Sequence, residues 1–312
     1  MSAPPVFPRA LQMMCMSMTP FTADGDVDEW ALRAHLERLV DAGLGVYLGS
    51  PGSGEGHALS TREVRRVYDI GVDVCAGRVP VCANPREARN PQDMLEVALE
   101  AVAAGVDAVQ IYQIDGGHGF TPTGRELEAY FDDVVSRIDH PVVIGCNSVA
   151  GYLAPVSLLA DLCERHPHIV GVNIFEVPLA HVMACRDALP DRIRLFVGQT
   201  AAVQCHHLGA SGVLSAAANV IPRTSGAFAD AVEKGDMEAI AVSARRLQRF
   251  LTAFVHTMAG AAWEKLALKI LGLPGGNGMI RRPYLFPDAE AEDRMRRRLD
   301  ELGVREWEGL AS

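Results

Sequence analysis

Short apolar runs alternate with amphipathic stretches from residue 13 to about residue 235. The apolar runs Met13–Met18, Gly45–Gly49, Val79–Ala83, Ala108–Tyr112, Val142–Cys146, Ile169–Ile174, Arg194–Gly198 and Gly212–Ser215 have strand length. They are apolar at consecutive rather than alternate positions, the pattern of strands buried on both faces of a parallel sheet. Between them the spacing predicts helices, among them Asp28–Ala42, Thr61–Ala76, Pro91–Ala104, Gly124–Ile138, Pro155–Arg165, Leu179–Leu189 and Ala201–Leu208. Entry signals agree: Asp28 precedes the first helix, Ser60-Thr61-Arg62-Glu63 can close a capping box, and Asn90-Pro91 puts proline at a first helical position. Gly43, Gly77, Gly105 and Gly209 stand where helices should stop.

Eight strand–helix units predict a (β/α)8 TIM barrel, because a doubly wound sheet usually stops at about five to seven strands. After Gly235 the strand pattern ends, and Met237–Met258, Ala261–Leu271 and Ala289–Leu302 read as helices. The expected organisation is therefore a barrel with its N-terminal segment over residues 1–235, and a C-terminal helical region over 236–312 packed on it.

Composition narrows the function. The chain is 49% hydrophobic and 22% charged, enough apolar content for a large core, and its net charge of −10 argues against nucleic acid as a partner. Its one basic cluster, Arg294, Arg296, Arg297 and Arg298, is interleaved with Glu290, Glu292, Asp293, Asp300 and Glu301, as on a solvated helix face. No apolar run approaches the roughly 18–20 residues of a membrane span, so no membrane partner is expected. The first residues lack the layout of a secretory signal, and seven scattered cysteines without a Cys-x-x-Cys pair read as reduced thiols in the cytoplasm.

Barrel enzymes build their sites from the loops after the strands. The loop Gly49-Ser50-Pro51-Gly52-Ser53-Gly54-Glu55-Gly56-His57 offers backbone N–H groups and hydroxyls to an anion, or else simply needs glycine to turn. Tyr112 and Asn147 close the fourth and fifth strands or follow them, and His118 lies in the glycine-rich segment Gly116-Gly117-His118-Gly119. An imidazole there could move protons near neutral pH, and Tyr112 either reaches the same space or packs in the core. Glu176 follows the sixth strand and serves either the mouth or the start of the next helix. Glu55, His57, Asp115, His118 and Glu176 include metal-ligand types, but none shows a diagnostic spacing, and no metal or cofactor is expected.

Met18-Thr19-Pro20-Phe21, Asp24-Gly25, the Gly-Ser-Gly-Glu segment ending at Glu55, Gly77–Val81, Gly105–Ala108, Ile169–Val172 and Leu208–Val220 together resemble the dihydrodipicolinate synthase/N-acetylneuraminate lyase family. Lys265–Leu273 is similar to that family's C-terminal helix, so the resemblance runs from residue 13 to about 303. It implies a (β/α)8 barrel with C-terminal helices, usually a tetramer built from dimers. It also implies a lysine, the Schiff-base amine, where this chain has Asn173, and a proton-relay tyrosine where it has Gly119. The arginine that some members carry after the fifth strand is absent from Cys146–Tyr152. In the carboxylate loop Ser53 and Gly54 match, while Gly52 replaces a hydroxyl residue.

The chain has only three lysines, Lys234, Lys265 and Lys269, and the last two match family lysines of the C-terminal helix. An asparagine cannot form an imine, but its side chain can donate to a carbonyl or enolate oxygen, or simply fill space. Two readings stay open. In one, the chain is a lyase (aldolase or hydro-lyase type) acting on a small 2-oxo acid or related carboxylate without a Schiff base. Ser53 and Gly54 then hold the carboxylate, Asn173 polarises the carbonyl, His118 or Tyr112 moves protons, and Asn147 and Glu176 line the substrate. In the other, it is an inactive carboxylate-binding or regulatory protein. Both expect a homo-oligomer.

Overall fold

The computed structural model of the protein describes residues 5–147, 150–175, 177–254 and 260–311. Eight strands are present: β1 (Gln12–Met16), β2 (Gly45–Leu48), β3 (Val81–Ala83), β4 (Ala108–Tyr112), β5 (Val142–Asn147), β6 (Ile169–Phe175), β7 (Arg194–Gly198) and β8 (Gly212–Ser215). They form a closed barrel in sequence order, and the pairs whose register is recorded are parallel. Helices α1 (Glu29–Asp41), α2 (Thr61–Cys75), α3 (Pro91–Ala104), α4 (Gly124–Val135), α5 (Val156–Arg165), α6 (Leu179–Ala188), α7 (Ala202–His207) and α8 (Pro222–Lys234) follow the successive strands. Then come α9 (Met237–Phe254), α10 (Ala262–Leu271), α11 (Ala289–Leu302) and α12 (Val304–Glu308), with no strand among the described residues after 235.

The start signals act as their chemistry requires. Asp28 accepts from the Ala31 N–H, Ser60 and Glu63 close a capping box, and Asn90 accepts from the Asp93 N–H ahead of Pro91. In α2 the buried positions Val64, Val67, Tyr68, Ile70, Gly71, Val74 and Cys75 recur at the three- and four-residue spacing of one helix face.

Contacts divide the chain into two compact units: the residues up to Gln12 with Cys82–Leu214, and Met13–Val81 with the residues from Ser215 onward. The helices after residue 235 share the second unit with α1, α2 and α8, so packing draws no boundary at 235.

Within the second unit, Asn219 is a polar hub. Its Oδ1 accepts from Met18 N (3.0 Å) and Cys15 Sγ (3.4 Å) and lies 2.9 Å from His35 Nε2, while its Nδ2 donates to Met16 O (2.9 Å) and Ala216 O (3.0 Å). The buried His35 is held neutral, its pKa lowered to about 3 by burial and then by Arg38, against the Asn219 bond. The start of α8 is closed by a residue far along the chain. The Glu308 carboxylate accepts from Arg223 N (2.9 Å), Thr224 N (3.1 Å) and Thr224 Oγ1 (2.7 Å). Removing it strands buried donors at a helix N-terminus. Glu308→Ala is therefore expected to lower unfolding stability by about 1–3 kcal/mol in denaturant titrations. An unchanged midpoint would show that Glu308 does not anchor α8.

Candidate active site

The first unit carries a row of buried amides. Asn173 Nδ2 donates to Gln110 Oε1 (3.0 Å), and Gln110 Nε2 donates to Asn84 Oδ1 (3.1 Å). Asn84 directly follows β3, Gln110 lies in β4 and Asn173 in β6, so the row skips β5. Gly145 makes the skip possible. It pairs with Tyr112 on one side and Asn173 on the other. A Cβ there would lie 2.9 Å from Gln110 Nε2, 2.9 Å from Tyr112 Cδ1 and 3.1 Å from Gln110 Cδ.

A register shift sets which way Asn173 faces. Val142 pairs with Ile169, but Val143 pairs with Gly171, so β6 carries one extra residue there. Side chains alternate along a strand, so the bulge reverses the phase of everything after it. Asn173 consequently shares a face with Gly145, Tyr112 and Gln110. The opposite face is apolar, with Ile111, Ile144, Val172 and Ile174 all buried.

Two polar atoms of this row have no hydrogen-bond partner: Asn173 Oδ1 at one end and Asn84 Nδ2 at the other. All three amides are buried. Turning the three amides together would reverse the polarity and free a donor on Asn173 and an acceptor on Asn84. In either sense the row presents one donor and one acceptor and no formal charge.

The other predicted residues of this unit divide. Tyr112 is buried beside Gly145, and its backbone O accepts from Tyr130 Oη (3.1 Å). Asn147 is buried at the end of β5, where its backbone O accepts from Gln113 Nε2 (3.1 Å). His118 is different. It is exposed, in a left-handed conformation (φ 51°), with its ring 6.3 Å from that of the exposed Phe120. The structure does not bring it into the amide row. Asp115 pairs with Arg89 (3.2 Å). Glu176 lies outside the described residues.

In the second unit the predicted anion loop is bonded to itself and to later parts of the chain. Gly54 N donates to Ser50 Oγ (2.9 Å), and a Cβ on Gly54 would lie 2.6 Å from Ser50 N. Glu55, at φ 50°, binds the Lys265 ammonium and accepts from Arg281 N (2.8 Å). Lys265 Nζ also donates to Met279 O (3.0 Å) and lies 4.3 Å from the Phe21 ring centroid. Burial lowers the Lys265 pKa, opposed by Glu55. Arg281 continues the network to Glu63 and to the backbone of Gly25 and Ala58. The Glu55–Lys265 pair thus ties the loop to α10 and to the 279–281 segment.

Ser53 is engaged by a residue not foreseen from the sequence. Its Oγ lies 2.6 Å from Oε1 of Glu264, which is 1% exposed. Burial raises the Glu264 pKa to about 8. The Ser53 bond and Lys265 oppose that shift, and Glu55 adds to it. Of the remaining lysines, Lys269 pairs with Glu292 (2.6 Å) and Lys234 ends α8. No group of three or more metal-ligating side chains occurs among the described residues. All seven cysteines are buried thiols outside any disulfide.

Comparison with known proteins decides the family. The profile of the Dihydrodipicolinate synthetase family matches residues 10–302. The chain belongs to that family, a family of lyases. It is 31% identical over 286 residues to the 4-hydroxy-tetrahydrodipicolinate synthase of Hyphomonas neptunium, covering 88% of this chain and 92% of that protein. It is also 31% identical to the enzyme of that name from Agrobacterium fabrum over 273 residues, 86% of this chain and 90% of the relative. A crystal structure of a putative dihydrodipicolinate synthetase from Pseudomonas aeruginosa superposes with a TM-score of 0.83 at 25% identity, over 93% of this chain and 99% of that one.

Asn84, Gln110 and Glu264 each left a faint mark in the sequence: Asn84 and Gln110 are single polar residues beside or in the apolar runs Val81–Ala83 and Ala108–Tyr112, and Glu264 stands with Lys265 inside the otherwise apolar Ala261–Leu268. Gly145→Ala tests the row directly. The added methyl must displace Gln110 and the Tyr112 ring, and overpacking of this kind costs about 1–3 kcal/mol. Chemical denaturation is expected to show that loss, and a variant as stable as wild type would mean that the Gln110–Asn173 bond does not cross β5 as described.

Proposed function

We propose that this protein is a lyase acting on a small 2-oxo acid or related carboxylate by a route that forms no imine. The supporting observation is Asn173 on β6, whose Nδ2 is tied to Gln110. An amide nitrogen shares its lone pair with the carbonyl and cannot serve as an imine-forming nucleophile. The three lysines are accounted for by other positions: Lys265 is 0% exposed against Glu55, Lys269 is paired with Glu292, and Lys234 closes α8.

In this reading the amide row does by polarisation what an amine does by covalency. An N–H from Asn173, or from Asn84 at the far end, donates to the carbonyl oxygen and stabilises negative charge as it becomes an enolate. Neutral donors suit this task because they are fixed before the charge appears and need no counter-ion. Ser53 and Gly54 hold the carboxylate, Asn147 and Glu176 contribute to substrate binding, and Tyr112 or His118 moves the proton. Tyr112 is the better placed of the two, being buried beside Gly145. The overall reaction is carbon–carbon cleavage or formation of the aldol type, or dehydration. The working form is a cytoplasmic homo-oligomer, a dimer or tetramer, that needs no cofactor.

Borohydride treatment in the presence of pyruvate is expected to leave the intact mass unchanged. A reduced pyruvyl adduct on any lysine would overturn the non-imine route. With an active substrate in hand, Asn173→Ala is expected to lower kcat by about 10²-fold or more, the scale of a lost oxyanion donor. If the wild type binds 2-oxo acids but turns over none of those tried, the chain is a carboxylate-binding protein instead.

A further inference from the structure

Glu264 is a carboxyl group with no cation of its own. It lies on α10, and Ser53 Oγ is 2.6 Å from its Oε1. Its Oε2 is buried and meets no hydrogen-bond partner. The adjacent ammonium of Lys265 is bound to Glu55 and to Met279 O. A carboxylate withdrawn from water costs several kcal/mol unless it is paired, so the group keeps its proton.

A neutral carboxyl has one proton to donate, and Ser53 Oγ, which at 2.6 Å is the donor to Oε1, becomes the acceptor when the two groups exchange roles without any heavy atom moving. A hydroxyl has one proton and two lone pairs. If Glu264 donates to Ser53, the Ser53 proton is released to point elsewhere. If Glu264 is ionised, the short contact becomes a charge-assisted bond that captures the Ser53 proton, and only lone pairs remain for an incoming group.

We propose that neutral Glu264 donates its proton to Ser53 Oγ and so makes Ser53 a hydrogen-bond donor for a ligand carboxylate, while ionised Glu264 takes that proton and closes the carboxylate subsite. Glu264 is a positioning residue in this scheme, acting only through Ser53. The inference rests on the reading above in which Ser53 holds the substrate carboxylate. The next residue, Gly54, is bonded back to Ser50 Oγ and has no room for a side chain, and the Ser53 hydroxyl beside it lies 2.6 Å from Glu264.

The charged and titratable groups around Glu264 support a single titration. Cys15 of β1 feels Glu264, and burial raises its thiol well above the ordinary range, so it stays neutral. Glu55 and Lys265 form their own pair, with Arg281 acting on Lys265. Burial places the Glu264 transition at about 8. The site is therefore open below that pH and closes above it.

The test is calorimetric titration of the full chain with sodium pyruvate from pH 6 to pH 9.5. Wild-type affinity is expected to fall by about tenfold per pH unit above the transition, the slope of a single lost proton. Glu264→Gln, whose amide N–H donates to Ser53 at every pH, is expected to bind with affinity that does not change over this range. A wild-type affinity flat in pH, or a Glu264→Gln variant that keeps the wild-type profile, would overturn the proposal. Infrared titration of ligand-free wild type gives a second readout that needs no variant. A protonated-carboxyl C=O band should be present at pH 7 and disappear through the same transition; its absence at pH 7 would also overturn the proposal. If the band titrates as expected but pyruvate fails to bind at pH 6, the reading of Ser53 as a carboxylate site has failed, and the proposal fails with it. The acid's own state would then stand established separately.

Discussion

The extra residue in β6 sets the chemistry of the strand ends. Between the pairs Val142–Ile169 and Val143–Gly171 the register slips by one, and each later side chain of β6 changes face. Without the slip Asn173 would point to the apolar side that Val172 and Ile174 now face, where an amide could find no partner. With the slip it meets Gly145, and Gln110 reaches it across the space a side chain would have filled. Two local features, a bulge and a glycine, thus create a buried amide row spanning four strands.

The row is neutral, and so is Ser53's partner Glu264 while it keeps its proton. The charged groups are arranged differently. Lys265, Glu55, Arg281 and Glu63 form a network in which every head group has an opposite charge, and it fastens a loop to the C-terminal segment. Breaking such a pair leaves a buried charge behind, which makes it a structural tie and a poor source of a reactive amine. In the proposed reading the candidate site works instead with dipoles and protons. That suits stabilisation of a developing oxyanion better than covalent capture of a carbonyl.

Much of the architecture was legible in the chain because parallel strands buried on both faces, and helices with one apolar stripe, impose different periods. Ala108–Tyr112, Arg194–Gly198, Gly212–Ser215, Pro91–Ala104 and Ala289–Leu302 end where the pattern predicts. The misses have physical reasons. Strand β1 begins at Gln12, a polar residue outside the apolar run Met13–Met18, and β6 and β5 extend one residue further into their loops than the pattern shows. Helix α8 was not singled out because Ser225 and Gly226 interrupt its stripe, and its first turn is completed by Glu308, more than eighty residues away. Asn173, Tyr112, Asn147, Ser53 and Gly54 were singled out by strand ends and by resemblance. Their partners Gln110, Asn84 and Glu264 were not, since side-chain pairing across strands depends on register and no local window contains it. For His118 the glycine-rich setting suggested a mouth residue, whereas the left-handed turn exposes its ring against Phe120.

In the proposed reading a neutral amide on β6 meets the substrate where an amine would otherwise bond to it. A crystal structure of the protein soaked with pyruvate tests this most directly. The expected result is an intact, noncovalent ligand whose carbonyl oxygen lies within hydrogen-bond distance of an amide of the Asn173–Gln110–Asn84 row. Continuous density from the ligand to a lysine nitrogen, or a bound ligand that leaves all three amides untouched, would contradict it.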